Sequence, residues 1–195
     1  MPKIAIVSFK GGVGKSFIAH QLITSFGYNG VAHDPYGNLA NRLPEKVVSI
    51  KNIKALTELE SKNVVFDCGG FDDKILHGII KMVDILVIPF NPSYESIQST
   101  IQMLNTMKQQ FLSKKILFVS NMTRKSSLTD DAFNAFDKVT QTTVNRFIIP
   151  DYFSFQTAVN TNQSIIKMAE KQSVYKKAAE CISLLHDCIL HTINK

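Results

Sequence analysis

The chain has 195 residues, of which 45% are hydrophobic and 19% are charged. These proportions are ordinary for a globular domain with a full core, and they exclude a disordered or fibrous protein. The formal net charge is +6, with most of the excess after residue 100, which favours a polyanionic partner, either nucleic acid or an anionic membrane surface. No apolar stretch approaches the roughly 18 residues of a membrane span, so we expect a single domain over residues 1–195, located in the cytoplasm without integral membrane association.

Short apolar runs rich in β-branched residues alternate with segments of helical periodicity along the chain. The expected strands, in chain order, are 3–9, 31–34, 64–67, 84–90, 115–120 and 143–149. The expected helices are 16–26, 54–61, 72–83, 94–112, 130–138 and, last, about 169–192. This alternation predicts an α/β fold with one mostly parallel, twisted sheet and helices on both of its faces. Ligands of such sheets bind at the carboxyl ends of the strands, so candidate functional residues are sought there.

A glycine-rich loop follows the first expected strand directly: residues 10–16 read Lys-Gly-Gly-Val-Gly-Lys-Ser. Its three glycines lack a Cβ atom, so the backbone can approach an anion closely and several N–H groups can converge on it at the start of the next helix. Lys15 is suited to neutralise phosphate charge, and the Ser16 hydroxyl to ligate Mg²⁺. The loop therefore predicts a nucleotide-binding site.

The loop departs from the usual phosphate-loop pattern at its beginning. Phe9 stands where the pattern has glycine, and Lys10 adds a second lysine. This two-lysine form resembles the deviant Walker A motif of the ParA/MinD family of dimerising ATPases. The resemblance implies a P-loop NTPase fold that binds ATP with Mg²⁺, and a Lys10 that reaches across a dimer interface to the partner's nucleotide. The loop residues expected to bind the nucleotide are Lys10, Gly11, Gly12, Val13, Gly14, Lys15, Ser16 and Phe17.

Two aspartates follow buried strands. Asp67 closes the apolar run 64–67, as a Walker B position requires, where the carboxylate acts on Mg²⁺ through a bound water. Asp34 lies in residues 32–39, Ala-His-Asp-Pro-Tyr-Gly-Asn-Leu, which resemble the family's D-x-D-P-Q-G-N-L segment. In that segment the second aspartate orients the attacking water; a simple Asp-Pro turn is the alternative.

The resemblance assigns catalysis to Lys10, Lys15 and Asp34, and the metal to Ser16 and Asp67. The chain has Ala32 in place of the segment's first aspartate and Tyr36 in place of its glutamine. Because of these two replacements we expect slow hydrolysis, and the resemblance implies that a partner stimulates it.

Two later segments extend the resemblance to the base of the nucleotide. Asn121, at the end of an expected strand, resembles the asparagine that reads the adenine edge, since an amide offers both a donor and an acceptor. The alternative is an asparagine that caps the following turn. Residues 147–151, Phe-Ile-Ile-Pro-Asp, are similar to the block that flanks the base, which adds Pro150 and Asp151 to the nucleotide site.

Residues 68–71, Cys-Gly-Gly-Phe, look like the segment around a cluster ligand of the nitrogenase iron protein. A cluster that bridges two subunits needs two cysteines from each subunit, and the other cysteines, Cys181 and Cys188, lie in the last expected helix. We therefore reject an iron–sulfur role and interpret this segment as a switch loop after Asp67.

Basic residues of the C-terminal half form the expected DNA surface. They are Arg124, Lys125, Arg146, Lys167, Lys171, Lys176 and Lys177. The sequence contains no motif for base readout, so contacts are expected with phosphates and without sequence preference. The resemblance to ParA proteins implies an ATP-dependent homodimer that coats DNA on the nucleoid and partitions a plasmid or chromosome with a ParB-like centromere-binding protein.

Two alternatives remain at this stage. One is a MinD-like positioning ATPase at the membrane, but the apolar residues of the last helix recur at helical spacing as a core-packing stripe. These residues are Tyr175, Ala178, Ala179, Ile182, Leu185, Ile189 and Ile193. The other is a scaffold that binds ATP and barely hydrolyses it, because the first switch aspartate is replaced by Ala32.

Overall fold

The computed structural model describes residues 2–34, 37–50, 63–70, 72–140 and 146–195. Seven strands of the described residues form one sheet in the order β3-β2-β4-β1-β5-β6-β7, and all neighbouring strands are parallel. The strands are β1 Lys3–Ile6, β2 Asn29–Ala32, β3 Val47–Ser49, β4 Val64–Asp67, β5 Ile85–Phe90, β6 Lys115–Thr123 and β7 Arg146–Pro150. The predicted α/β fold with a parallel sheet is confirmed.

Helices cover both faces of this sheet. They are α1 Lys15–Phe26, α2 Leu39–Arg42, α3 Lys74–Met82, α4 Tyr94–Thr106, α5 Lys108–Phe111, α6 Ser127–Thr140, α7 Phe153–Asn160, α8 Ile165–Lys171 and α9 Lys176–Asn194. Successive side chains of a strand point to opposite faces, so Ile4 and Ile6 of β1 pack with α1, α2 and α7–α9. Ala5 of β1 and the following Val7 pack with α3–α6. Two hydrophobic layers thus enclose the central strand, which is buried from Ile4 onwards.

The register of the central strands brings their carboxyl ends level. Ile6 of β1 pairs with Asp67 of β4, and Asp67 pairs with Ala32 of β2. The glycine-rich loop after β1, the end of β4 and Asp34 after β2 therefore meet at one edge. From β1 the chain passes to β2, on one side of β1 in the strand order, whereas from β4 it passes to β5, on the other side. This reversal of strand order is where α/β sheets bind ligands.

Several predicted element boundaries are wrong. Strand β1 ends at Ile6 rather than at residue 9, and β2 ends at Ala32, so Asp34 follows the strand instead of closing it. Strand β3 was not predicted, because it is a three-residue strand that pairs only with β2 among the described strands and has one buried side chain. Strand β6 runs on to Thr123.

Two predicted helices are also divided. The helix predicted over 94–112 is broken at Met107, whose φ of −102° and ψ of 20° leave the helical region. The last helix begins at Lys176 rather than near residue 169, because Gln172 is extended (φ −143°, ψ 125°) and ends α8. The predicted helix 54–61, the first residues of the strand predicted over 143–149, Pro35, Tyr36 and Phe71 lie outside the described residues.

The core-packing stripe predicted for the last helix is confirmed. Helix α9 buries Ala178, Ala179, Ile182, Leu185 and Ile189 in the hydrophobic layer on its face of the sheet, where it contacts β5, β6 and β7. The flanking residues Tyr175 and Ile193 pack partly against the same layer. Among the helices described here, none has the length and apolar character needed to span a bilayer.

The neighbouring leucines of α9 offer a matched test of this packing. Leu185 is fully buried, whereas the adjacent Leu184 is 59% exposed. Leu185→Ala should lower the free energy of unfolding by about 2–5 kcal/mol, because it opens a cavity in the core. Leu184→Ala should change it by no more than about 0.5 kcal/mol. Urea denaturation followed by circular dichroism measures both, and equal losses would contradict the packing of α9.

Candidate functional site

The glycine-rich loop joins β1 to α1 through backbone conformations that favour glycine. Gly12 has a φ of 77° and Gly14 a φ of 94°, both in the left-handed region. Gly14 also lies against the side-chain amide of Asn121, which a Cβ atom at this position would overlap. No described side chain caps the N-terminus of α1, and its first turn has no acidic residue. Its first N–H groups are thus available to an anion.

The two lysines of the loop lie in different surroundings. Lys15 is 9% exposed and its Nζ donates to the Lys10 carbonyl oxygen over 3.2 Å, whereas Lys10 is half-buried. Burial lowers the pKa of Lys15, while the charges of Asp67 and Asp34 act in the opposite direction. The Lys15 ammonium is therefore held inside the cradle with two carboxylates near it.

Asp67 is the most confined carboxylate of the site. It is 1% exposed, and burial raises its pKa to about 6, with Asp34 adding to the rise and Ser16 and Lys15 opposing it. Ser16 is close enough to act on this pKa, yet neither Asp67 oxygen has a hydrogen-bond partner within normal geometry in the described part of the chain. Buried acceptors without a partner are costly. Two free carboxylate oxygens beside a hydroxyl are ligands that Mg²⁺ prefers, so these residues fit the predicted metal.

Asp34 belongs to the same group of charges. It is half-buried and its charge acts on the pKa values of both Lys15 and Asp67. Its carbonyl oxygen accepts from the Gly37 N–H over 3.1 Å, a bond that the Asp-Pro turn considered for this segment would also make. This bond is compatible with the electrostatic role of Asp34, because the bond involves the main chain and the electrostatic role the side chain.

A cavity of about 340 Å³ opens beside the loop and contains the residues predicted to hold the base. Its lining includes Gly14, Phe17, Asn121, Pro150, Asp151, Tyr152, Phe155 and Gln156. Phe17 and Phe155 lie with ring centroids 4.8 Å apart, which gives the cavity an apolar wall. Tyr152 and Gln156 were not predicted, although Tyr152 directly follows the Pro150-Asp151 pair and Gln156 lies a few residues further on.

Asn121 connects the cavity to the loop. It is buried in β6, and its Nδ2 donates to the Val13 carbonyl oxygen over 2.9 Å. The alternative of a turn cap is therefore not what the structure contains. The amide holds the glycine-rich loop against the sheet and lies at the cavity wall.

The predicted DNA residues do not form one cluster. Arg124 pairs with Asp151 over 2.6 Å at the rim of the cavity. Arg146 is only 15% exposed, because it pairs with Asp137 over 2.5 Å and lies 4.4 Å from the Phe133 ring centroid. These two guanidinium groups already have partners within the chain.

The lysines of the set are exposed on α8, at the start of α9 and, for Lys125, after β6. Lys167 and Lys171 share a cavity of about 360 Å³ with Lys46. Lys46 lies far away in the chain and was not predicted to belong to this set. Three ammonium groups around one cavity form a local concentration of positive charge.

Comparison with known proteins agrees with this geometry. The sequence model of one family, described as the CobQ/CobB/MinD/ParA nucleotide binding domain, matches residues 4–165. Solved structures with the same fold include apo McdA from Cyanothece, with a TM-score of 0.70 and 16% identity over 93% of this chain and 99% of that one. MinD from Aquifex aeolicus has a TM-score of 0.69 and 17% identity, covering 96% and 97%. A ParA family ATPase from Chlorobium tepidum has a TM-score of 0.68 and 19% identity, covering 93% and 97%. No curated protein matches the chain.

The buried Asp67 predicts a pH dependence of stability. Its pKa is about 6 in the folded protein against an ordinary value of 3.8, so between these values the folded state holds a proton that the unfolded chain has released. This group therefore makes stability fall as the pH rises through that window. Asp67→Asn removes the effect, so the stability of the variant relative to the parent should rise from about pH 4 to about pH 7, by up to about 3 kcal/mol.

Urea unfolding of the nucleotide-free protein without Mg²⁺, repeated across this pH range, measures the difference. Asp130→Asn, at an exposed position of α6, is the matched control and should show no such trend. A constant offset between Asp67→Asn and the parent would contradict the raised pKa.

Proposed function

The chain belongs to the CobQ/CobB/MinD/ParA nucleotide binding domain family, and on this premise we propose that it is an ATPase that dimerises on ATP and binds DNA. In this proposal it partitions a plasmid or chromosome together with a ParB-like partner, in the cytoplasm and on the nucleoid. The observation that supports it most is the pair of lysines in one phosphate loop, with Lys15 buried beside two carboxylates and Lys10 nearer the surface.

The residues of the loop have distinct tasks in binding Mg-ATP. The loop N–H groups and Lys15 would hold the phosphates, and Ser16 with Asp67 would hold Mg²⁺. The metal supplies positive charge to the β- and γ-phosphates. Asn121, Pro150 and Asp151 would line the base, with Phe17 against its face.

Hydrolysis requires a water aligned with the γ-phosphate. Asp34 is the proposed residue for this task, because its carboxylate shares the site with Lys15 and Asp67 yet is less buried than Asp67. With Ala32 in place of the family's first switch aspartate, we propose slow intrinsic turnover that a cargo-bound partner stimulates. A rate that no partner raises would favour the scaffold alternative.

Two features of the structure favour DNA over a membrane. The apolar stripe of α9 is packed into the core, so it is not available to a bilayer. Lys46, Lys167 and Lys171 surround one cavity, and clustered ammonium groups suit successive phosphates of a nucleic-acid backbone.

The two loop lysines should separate in mutants. Lys15→Ala should abolish ATP binding, because the cradle loses its buried countercharge. Lys10→Ala should leave ATP binding by the monomer and remove ATP-dependent dimers, with turnover lower by about 10³-fold, as for other cations that act in trans. Fluorescent ATP titration and analytical ultracentrifugation measure the two properties. Equal loss of ATP binding in both variants would show that Lys10 acts within its own subunit.

DNA binding should require ATP, ignore sequence and weaken with salt. Each phosphate contact contributes about −0.9 to the slope of log affinity against log salt. Two double variants, Lys167→Glu/Lys171→Glu and Lys176→Glu/Lys177→Glu, should weaken binding to all sequences alike and flatten this slope. Lys46→Glu should act in the same direction.

The control is the double variant Lys81→Glu/Lys108→Glu, at exposed positions of helices on the other face of the sheet. It should lower DNA affinity less than the test variants do. Fluorescence anisotropy at several salt concentrations measures all of these variants. Tight DNA binding without nucleotide, or ATP-dependent attachment to anionic liposomes with none to DNA, would overturn the DNA proposal. The second result would favour a MinD-like role.

A further inference from the structure

His33 connects the segment after β2, which contains Asp34, with the segment that leads from Asp67 to Asp73. Its imidazole is 5% exposed, and its Nε2 lies 3.1 Å from Asp73 Oδ2. Because an ionised carboxylate only accepts hydrogen bonds, Nε2 carries the donated hydrogen. The backbone N–H of His33 donates to the Asp67 carbonyl oxygen over 2.9 Å. One residue, next to Asp34 in the chain, thus bonds both ends of segment 67–73.

Asp73 is itself held in place by α3. It is the N-cap of this helix, and its Oδ1 accepts from the Leu76 N–H over 2.8 Å. One carboxylate oxygen therefore caps the helix while the other receives the imidazole hydrogen. The imidazole is bonded to a fixed point of the fold rather than to a mobile side chain.

The other side of the same segment lies against the phosphate loop. A Cβ atom on Gly70 would be 2.8 Å from the Phe9 carbonyl oxygen, so Gly70 and the residue before Lys10 are in close contact. The Cys68 N–H donates to the Ile6 carbonyl oxygen over 3.1 Å. Cys68 and Gly70 therefore lie against β1 and the start of the phosphate loop, while Asp67 and Asp73 are bonded to His33.

We propose that His33 and Asp73 are positioning residues that set Asp34 relative to Asp67 and Lys10. The pair touches neither the cradle glycines nor the base cavity, so its loss should lower the rate of hydrolysis and leave ATP affinity unchanged. The effect on hydrolysis rests on the proposed function, whereas the hydrogen bonds that connect His33 with Asp67 and Asp73 do not.

A series at Asp73 separates this role from helix capping. Serine is a good N-cap, but its side chain is too short to reach His33. Asp73→Ser therefore keeps the helix cap and loses the hydrogen bond with His33. Asp73→Asn can keep both, because its amide can pair with the other imidazole tautomer. The matched control is Asp72→Ser, since Asp72 also pairs with a histidine, His77, over 2.5 Å, but at an exposed position outside the site.

Asp73→Ser and His33→Ala should hydrolyse ATP about 10- to 100-fold more slowly in a single turnover, the cost of a small misplacement, with the dissociation constant for ATP within about twofold, since the cradle residues are untouched. Asp73→Asn should recover most of the rate. In the nucleotide-free protein, hydrogen exchange of residues 37–38 and 68–70 should increase together in Asp73→Ser and not in Asp72→Ser.

The proposal is overturned if Asp73→Ser keeps the parent rate, if its ATP affinity falls by the same factor as its rate, or if Asp73→Asn fails to recover the rate. It is also overturned if exchange in the two segments is unchanged. Asp34→Ala tests the proposed function separately from the positioning role of His33 and Asp73. If that variant hydrolyses ATP at the parent rate, the catalytic role of Asp34 in the proposed function is wrong, whatever the exchange data give.

Discussion

Two opposite charges, Lys15 and Asp67, lie buried at the same end of the sheet, and the surrounding structure keeps them there. Burial disfavours the charged form of each group, which lowers the pKa of the lysine and raises that of the aspartate, while their mutual attraction opposes both shifts. A buried pair of this kind adds little to stability on its own. The folding energy must come from elsewhere, and the two hydrophobic layers around β1 supply it.

The site retains features that a structure optimised for stability alone would avoid. Asp67 has two buried oxygens without a partner among the described residues, and Gly12 and Gly14 hold the loop in left-handed conformations. Costs of this kind collect where a ligand is to be received, since the ligand provides the missing partners. A phosphate group at the free N–H groups of α1 and a cation at Asp67 would satisfy both.

Three strands each direct one side chain toward the phosphate loop. Asp67 ends β4, Asp34 follows β2, and Asn121 lies in β6 and bonds the Val13 carbonyl oxygen. The loop is therefore held from several directions. The His33 contacts with Asp67 and Asp73 link the segment of Asp34 to the segment of Asp67. A displacement of one segment would therefore shift the other directly, and not through the nucleotide.

Local signals in the sequence determined the elements and the loop. The strand 64–67, the alternation that gives a parallel sheet, the Lys10–Ser16 cradle and the α9 stripe were all predictable, because each depends on residues a few positions apart. Tertiary structure decided the rest. Arg124 pairs with Asp151, Lys46 lies beside the same cavity as Lys167, and His33 bonds Asp73, and in each case the two residues are distant in the chain. Arg146 is nearer in the chain to Asp137 and Phe133, but it contacts them across the gap between β7 and α6. Such contacts depend on where the crossovers bring each helix, and no local pattern records that distance.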